Sequence, residues 1–340
     1  MASWKRPRRT HGGAINLEEA ALGAWRAIGD YIGHHMMWIS PACVLVACLF
    51  PDKVSLLHPA VTPLFAFVSF QGALSNTLGS SRDALARPLP ILVTLALSIA
   101  ALPALAFALA SLLFGFDQQI VCGILLEYSV PVAALTVMWC GIGGGNQALS
   151  LVILLASSLL SPVTLPLTLK LLMGQTIQVD LTSMMLNLLL TVAIPVVVGT
   201  LTNDLSHGSA KRRLAPPLAP AARIAMVAII TTNASGIAPY LRGLTPVLVA
   251  VMAFIALFSA TAYLWGLVAA RLLRQPRDVT VSMTFGSGMR NISAGAVIAA
   301  NYFPPEVMFP VVIGTLFQQV LAATYDRVLA RALPRQGAGV

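Results

Sequence analysis

Charge is scarce in this chain. Lys, Arg, Asp and Glu make up 10% of the 340 residues against 57% hydrophobic ones, and the mean hydropathy is +0.83. A soluble domain needs more solvated side chains than that, so the composition alone points to a polytopic membrane protein. Cysteine is also rare. Cys43, Cys48, Cys122 and Cys140 show no CxxC or Cys/His spacing, which excludes a disulfide framework and leaves them as small apolar packing residues. The five histidines fall in tails, loops or span edges. His34 and His35 make a poor metal site, because adjacent residues on a helix point in different directions. No Walker loop, no GxSxG and no paired carboxylates within an apolar run are present, so ATP-driven pumping and hydrolysis lack their parts and no enzyme is expected.

What the chain does have is length of apolar sequence. Runs of about 20 apolar residues recur with short polar gaps, at 35–50, 59–79, 89–114, 119–142, 147–172, 181–201, 220–238, 245–270, 279–302 and 307–329. This predicts an all-α integral membrane fold with ten transmembrane helices. The segment Asn16 to Gly33 mixes Leu17, Leu22, Trp25, Ile28 and Tyr31 with polar residues, as a surface-lying helix would. With the N-terminus cytoplasmic, 17 of the 21 Lys and Arg lie in cytoplasmic segments; Lys53, Lys170 and Arg242 lie outside and Arg290 lies in the membrane. That bias predicts both termini in the cytoplasm of a cell (inner) membrane protein. The net charge of +9 then reflects topology and contact with anionic lipid, and no nucleic-acid partner is required. The basic start leads into the mixed segment and not into an apolar core, so no cleavable signal peptide is expected.

Arg290 is the one charge in the run from Val279 to Phe303, between Gly286-Ser287-Gly288 and Asn291. An ionisable side chain at that depth is costly unless a partner or a wet cavity supports it, and the glycines suggest a helix interrupted there. The fourth run shows a matching feature, with Pro131 inside it and Gly141, Gly143, Gly144 and Gly145 at its end. The basic, Pro-rich stretch from Asn203 to Arg223 reads as the divider of the chain. The expected organisation is a basic N-terminal segment (1–34), a first five-span repeat (35–202), a cytoplasmic linker (203–219), a second, inverted five-span repeat (220–330) and a tail (331–340). An odd number of spans per repeat forces the inversion, a design common in secondary transporters.

The stretch Pro131-Val132-Ala133-Ala134-Leu135-Thr136, continuing through Gly145-Asn146-Gln147-Ala148-Leu149-Ser150 to Ser161-Pro162, resembles the bile acid:sodium symporter family, as does Gly288-Met289-Arg290-Asn291 followed by Tyr302-Phe303. The resemblance implies panel and core domains, the panel built from spans one, two, six and seven, with broken helices in spans four and nine crossing beside the substrate cavity. It also implies ion and substrate residues. The family's ninth-span motif, Glu-x-Gly-Met-Gln-Asn, places Gly286 at the Glu, Ser287 at the variable position, Met289 at the Met and Arg290 at the Gln. A Ser-Asn pair falls on Thr136 and Val137, a Ser on Ser150, a Thr on Leu154 and a third-span Gln on Ser98. Sodium prefers several oxygen ligands, and this chain retains few, so sodium is a doubtful partner and no other cofactor is expected.

Arg290 puts a permanent positive charge where the family holds a mobile cation. Glu127, four residues before Pro131, is the natural counter-charge. By span position, Glu127 lies about 12 Å from one membrane edge and Arg290 about 16 Å from the other. The expectations are therefore these. Arg290, Asn291, Thr136, Asn233 and Asn76 contact a small organic anion; Glu127, Ser150, Ser98, Ser287 and Met289 serve ion coupling. Alternatively, Arg290 and Glu127 form a structural ion pair. The functional reading is a secondary active transporter of a small organic anion working by alternating access. The alternatives are a sodium-independent exporter resembling auxin-efflux-type carriers, proton-coupled through Glu127 or a uniporter, and a non-transporting membrane sensor, for which the tail Arg331 to Val340 is short. Arsenite carriers of similar fold place a Cys after the fourth-span Pro, where this chain has Val132.

Overall fold

The computed structural model describes residues 17–75, 86, 88–174 and 180–333. It is all helical, with 88% helix and no strand among the described residues. The helices are α1 (Leu17–Leu49), α2 (Pro51–Ser55), α3 (His58–Ala73), α4 (Pro88–Phe114), α5 (Gln118–Ser129), α6 (Leu135–Ile142), α7 (Gln147–Met173), α8 (Leu181–Leu205), α9 (Ser209–Arg213), α10 (Ala215–Arg242), α11 (Pro246–Leu272), α12 (Arg277–Gly288), α13 (Ile292–Tyr302) and α14 (Pro305–Ala332). Six of them, α4, α7, α8, α10, α11 and α14, are long and apolar enough to cross a membrane. A seventh is reached if the bent pair Leu22–Met36 and Pro41–Leu49 counts as one span. Leu112, Leu171, Leu257 and Leu272 stand 70% or more exposed, a surface suited to hydrocarbon and not to water.

Local chemistry sets the helix ends. Asp117, Asn146, Asp180, Thr245 and Asn291 each cap the helix that follows by accepting backbone N–H groups, satisfying donors that have no partner inside the helix. At Asp180 the Ser183 hydroxyl and N–H hold the carboxyl below the usual carboxylate range. Proline bends the long helices: a wide π-type turn at Leu97–Ala101 precedes Pro103, and another at Leu189–Ala193 precedes Pro195. A residue without an N–H, whose ring crowds the turn before it, favours that adjustment.

The helices pack in two groups. One joins α1, α3, α8 and α10; the other joins α4, α5, α7, α11, α12, α13 and α14. In the first, Trp25 Nε1 donates to the Pro217 carbonyl at 2.9 Å, Arg223 pairs with Asp30 at 2.8 Å, and Arg242 donates to the Cys48 carbonyl. The start of α1 is thus clasped along α10. The segment expected to lie on the surface, 16–33, runs on into the first apolar stretch within α1, whose parts Leu22–Met36 and Pro41–Leu49 meet at 93°.

The stretch 203–219 does not divide the helical segments equally. Six helical segments precede α9, namely α1, α3, α4, the broken α5/α6, α7 and α8, and four follow it. Five stand on either side only if the boundary lies between Met173 and Leu181. The proline-rich stretch 203–219 is itself largely helical, made of the end of α8, α9 and the start of α10.

Candidate functional site: a crossing of two broken helices beside an apolar cavity

Helix α5 ends at Ser129 and α6 begins at Leu135; α12 ends at Gly288 and α13 begins at Ile292. The two breaks lie against each other through an antiparallel bridge between Val132 and Arg290. Ala133 N–H donates to the Met289 carbonyl at 3.3 Å, and Asn291 N–H donates to the Pro131 carbonyl at 2.8 Å. Side chains satisfy the next two donors. Ser157 Oγ accepts Val132 N–H at 3.1 Å, and Gln318 Oε1 accepts Arg290 N–H at 2.9 Å. Irregular backbone buried this deeply survives because its donors are paired within the protein.

The glycines that flagged the second break have another job. Gly286, Ser287 and Gly288 belong to the last turn of α12, and the interruption follows them at Met289–Asn291. A Cβ on Gly288 would run into the Tyr263 ring, and one on Gly286 would meet Thr94 Cγ2 at 2.9 Å. The glycines therefore allow close packing of α12 on α11 and α4.

Arg290 is 2% exposed, and Nε, Nη1 and Nη2 have no hydrogen-bond partner. Its charge interacts with Glu127, Tyr128 and Tyr263, which places the side chain on the α5 and α11 side of the crossing. Glu127 is equally buried and its Oε2 is unpartnered. The two charges attract across space, but no N–O contact within 4.0 Å joins them; among the described residues the one ion pair is Arg223–Asp30. A direct Glu127–Arg290 salt bridge is thus corrected to a longer-range pair. The C-termini of α5 and α12 both end at this crossing, and the negative ends of two helix dipoles favour a cation there.

The remaining predicted residues divide by position. Ser98 Oγ donates to the Gly286 carbonyl at 3.2 Å, tying α4 to α12. Thr136, Ser150 and Ser287 are fully buried with unpartnered hydroxyls, and Asn233 is buried with an unpartnered Oδ1. Met289 is buried and contributes its carbonyl to the crossing. Asn291 caps α13, accepting Ala294 N–H at 3.2 Å. Asn76 lies outside the described residues. Of nine buried side-chain atoms without a partner, eight belong to these residues, and Thr200 supplies the other. Unsatisfied polar groups are uncommon in native interiors, so their concentration around the crossing marks it as the chemically unusual part of the bundle.

Between the two helix groups lies a cavity of about 960 Å³. The first group lines it with Trp38, Phe65, Val192, Met226 and Ile230. The second lines it with Ala133 to Leu135, Leu151, Leu155, Arg290 to Ser293 and the stretch Thr315 to Val320 excluding Phe317. Thr136, Asn233, Ser98, Ser150 and Glu127 are not in its wall, being buried inside the bundle; Arg290 and Asn291 are. Gln318 also lines the cavity, a residue that no motif in the sequence singles out. Its side chain faces one broken backbone, and Gln319 Oε1 beside it accepts Trp139 Nε1 at 3.0 Å.

A model of the sodium bile acid symporter family matches residues 62–244. The chain is 33% identical over 296 residues to the uncharacterized protein YbaS of Bacillus subtilis, covering 87% of this chain and 97% of that one. The chain belongs to the sodium bile acid symporter family. It is also 23% identical over 320 residues to an uncharacterized sodium-dependent transporter, YocS, of the same bacterium, covering 92% of this chain and 96% of that one. To a probable chloroplastic sodium/metabolite cotransporter of Oryza sativa, BASS1, it is 24% identical over 342 residues, covering 98% and 82%. Membership makes the chain a multi-pass membrane transporter with a small-molecule substrate.

Proposed function

We propose that this protein is a secondary active transporter of a small organic anion, with the anion taken into the cavity between the two helix groups. The carrying observation is the cavity itself. It is broad and mostly apolar, both broken backbones reach its wall, and no described carboxylate lines it. Transport proceeds by alternating access, as α1, α3, α8 and α10 rock as a panel against the remaining core. The ten segments are read as two inverted repeats whose fourth members are the broken ones, and broken helices at a repeat interface are where substrates bind in such designs.

Arg290 stands where the family pattern holds a sodium ligand, and its guanidinium serves as a tethered cation for the crossing. Ser98 is engaged with the Gly286 carbonyl, while Thr94 and Ile153 fill the space beside Gly286 where the pattern has a carboxylate. The filled space at Gly286 favours a second reading, sodium-independent flux. The deciding experiment is uptake of a panel of labelled organic anions into proteoliposomes under imposed sodium or proton gradients. Uptake driven by a proton gradient but not by sodium supports the tethered cation. Uptake driven by sodium overturns the sodium-independent reading and leaves the ion to backbone carbonyls or a displaced site. No uptake of any anion under either gradient overturns the function.

A further inference from the structure

The cavity carries a second cation that the crossing does not use. Lys211, on α9, lines the cavity and is exposed, whereas the Arg290 side chain is enclosed. Its backbone is held from beneath. The fully buried Asn203 accepts Lys211 N–H through Oδ1 at 3.0 Å and Gly208 N–H through its carbonyl at 2.9 Å. Ser206 Oγ accepts Ala210 N–H at 2.9 Å, and Ala210 is buried in a cluster with Leu74 and Ala215. Gly208 turns the chain into this helix at φ 77°, a conformation natural to glycine. No described carboxylate pairs with Lys211, and none lines the cavity.

A positive charge on a fixed base, at the exposed lip of a cavity with an apolar wall, is an arrangement for a ligand with a negative head and an apolar body. The ammonium is a point charge on a flexible stem, suited to following a moving carboxylate, while the planar fork of an arginine suits a fixed geometry. We propose that Lys211 is the residue that selects for negative charge, meeting the substrate's carboxylate at the cavity lip while its apolar body lies against Phe65, Leu151, Met226 and Ile230. This rests on the anion-transport reading and assigns the charge contact to Lys211 in place of Arg290.

The test is equilibrium binding of labelled 4-phenylbutyrate and of its neutral amide to the purified full chain, as wild type, Lys211→Gln and Lys211→Arg, at constant sodium. Wild type is expected to prefer the acid by about tenfold or more, the scale of one charge-assisted hydrogen bond. Lys211→Gln should bring acid and amide to near equality, and Lys211→Arg should keep most of the preference. Unchanged amide binding in all three reports an intact cavity. A preference that survives Lys211→Gln overturns the assignment while leaving anion transport standing. A wild type that binds the acid no better than the amide, or binds neither, overturns both. As an independent readout, phenylbutyrate should slow the reaction of Lys211→Cys with methyl methanethiosulfonate, measured against the wild type's own cysteines. An unchanged rate removes the contact.

Discussion

Helix α12 begins with one arginine and is followed, after one residue, by another, and the two are treated in opposite ways. The Arg277 guanidinium is spread over three backbone carbonyls, with Nε to Leu333 at 2.7 Å, Nη1 to Gly144 at 3.2 Å and Nη2 to Gly143 at 2.9 Å. It thereby ties the end of α6 and the end of α14 to the start of α12. The Arg290 guanidinium is enclosed with no hydrogen-bond partner. An arginine whose donors are saturated holds a structure together. One that is buried with its donors unspent carries a cost that packing does not explain. The core group of helices thus has a clamped end at Arg277 and a poised centre at Arg290.

The largest expected effect separates the two. Arg290→Gln should lower initial uptake in proteoliposomes by about a hundredfold or more, a loss of a few kcal/mol, while the purified protein stays monodisperse. Arg277→Gln should leave uptake within about threefold, since it touches no cavity residue. If both substitutions abolish uptake in folded protein, the contrast between clamp and centre is wrong.

Next is the buried carboxylate. Glu127→Gln leaves Arg290 without its counter-charge, and removing one member of a buried pair costs about 3 kcal/mol. The double variant Glu127→Gln/Arg290→Gln should lose less than the sum of the singles, by about 0.5–3 kcal/mol, if the charges feel each other without touching. Denaturation midpoints of the four proteins give that coupling directly, and strict additivity would dissolve the pair.

Much of this contrast was visible in the residues, and the rest was not for definable reasons. The crossing was legible because Pro131 and an arginine beside glycines are physically awkward inside apolar helices. The exact break was not: Gly286 and Gly288 read as breakers, yet they are helical and make room for Thr94 and Tyr263. Glu127 and Arg290 were legible as partners by depth along their helices, but depth gives no lateral separation, and the ion pair offered as one alternative is a longer-range attraction. Lys211 went unnoticed as a site residue because the positive-inside bias already accounted for every basic residue of the linker. The same composition read as a linker at 203–219, where the chain is largely helical through α8, α9 and α10.

A smaller effect tests the clamped end. Arg277→Lys keeps the charge and loses the fork that reaches three carbonyls at once, so it should cost about 1–3 kcal/mol of stability. Lys cannot satisfy Gly143, Gly144 and Leu333 from one ammonium in the same geometry. A neutral result would mean that these carbonyls find water and that the end of the core is loosely held.

The smallest expected effect lies between the two arginines, at Ser98. Its hydroxyl donates to the Gly286 carbonyl across α4 and α12, and both residues are buried. If that bond is its whole role, Ser98→Ala costs about 1 kcal/mol and leaves the dependence of uptake on sodium untouched. If the hydroxyl serves an ion, the same substitution shifts the sodium concentration for half-maximal uptake severalfold with little change in stability. The bond to Gly286 accounts for the hydroxyl's hydrogen. Its lone pairs remain available, so the sodium titration, and not the denaturation curve, decides whether the region around Arg290 has given up its mobile cation altogether.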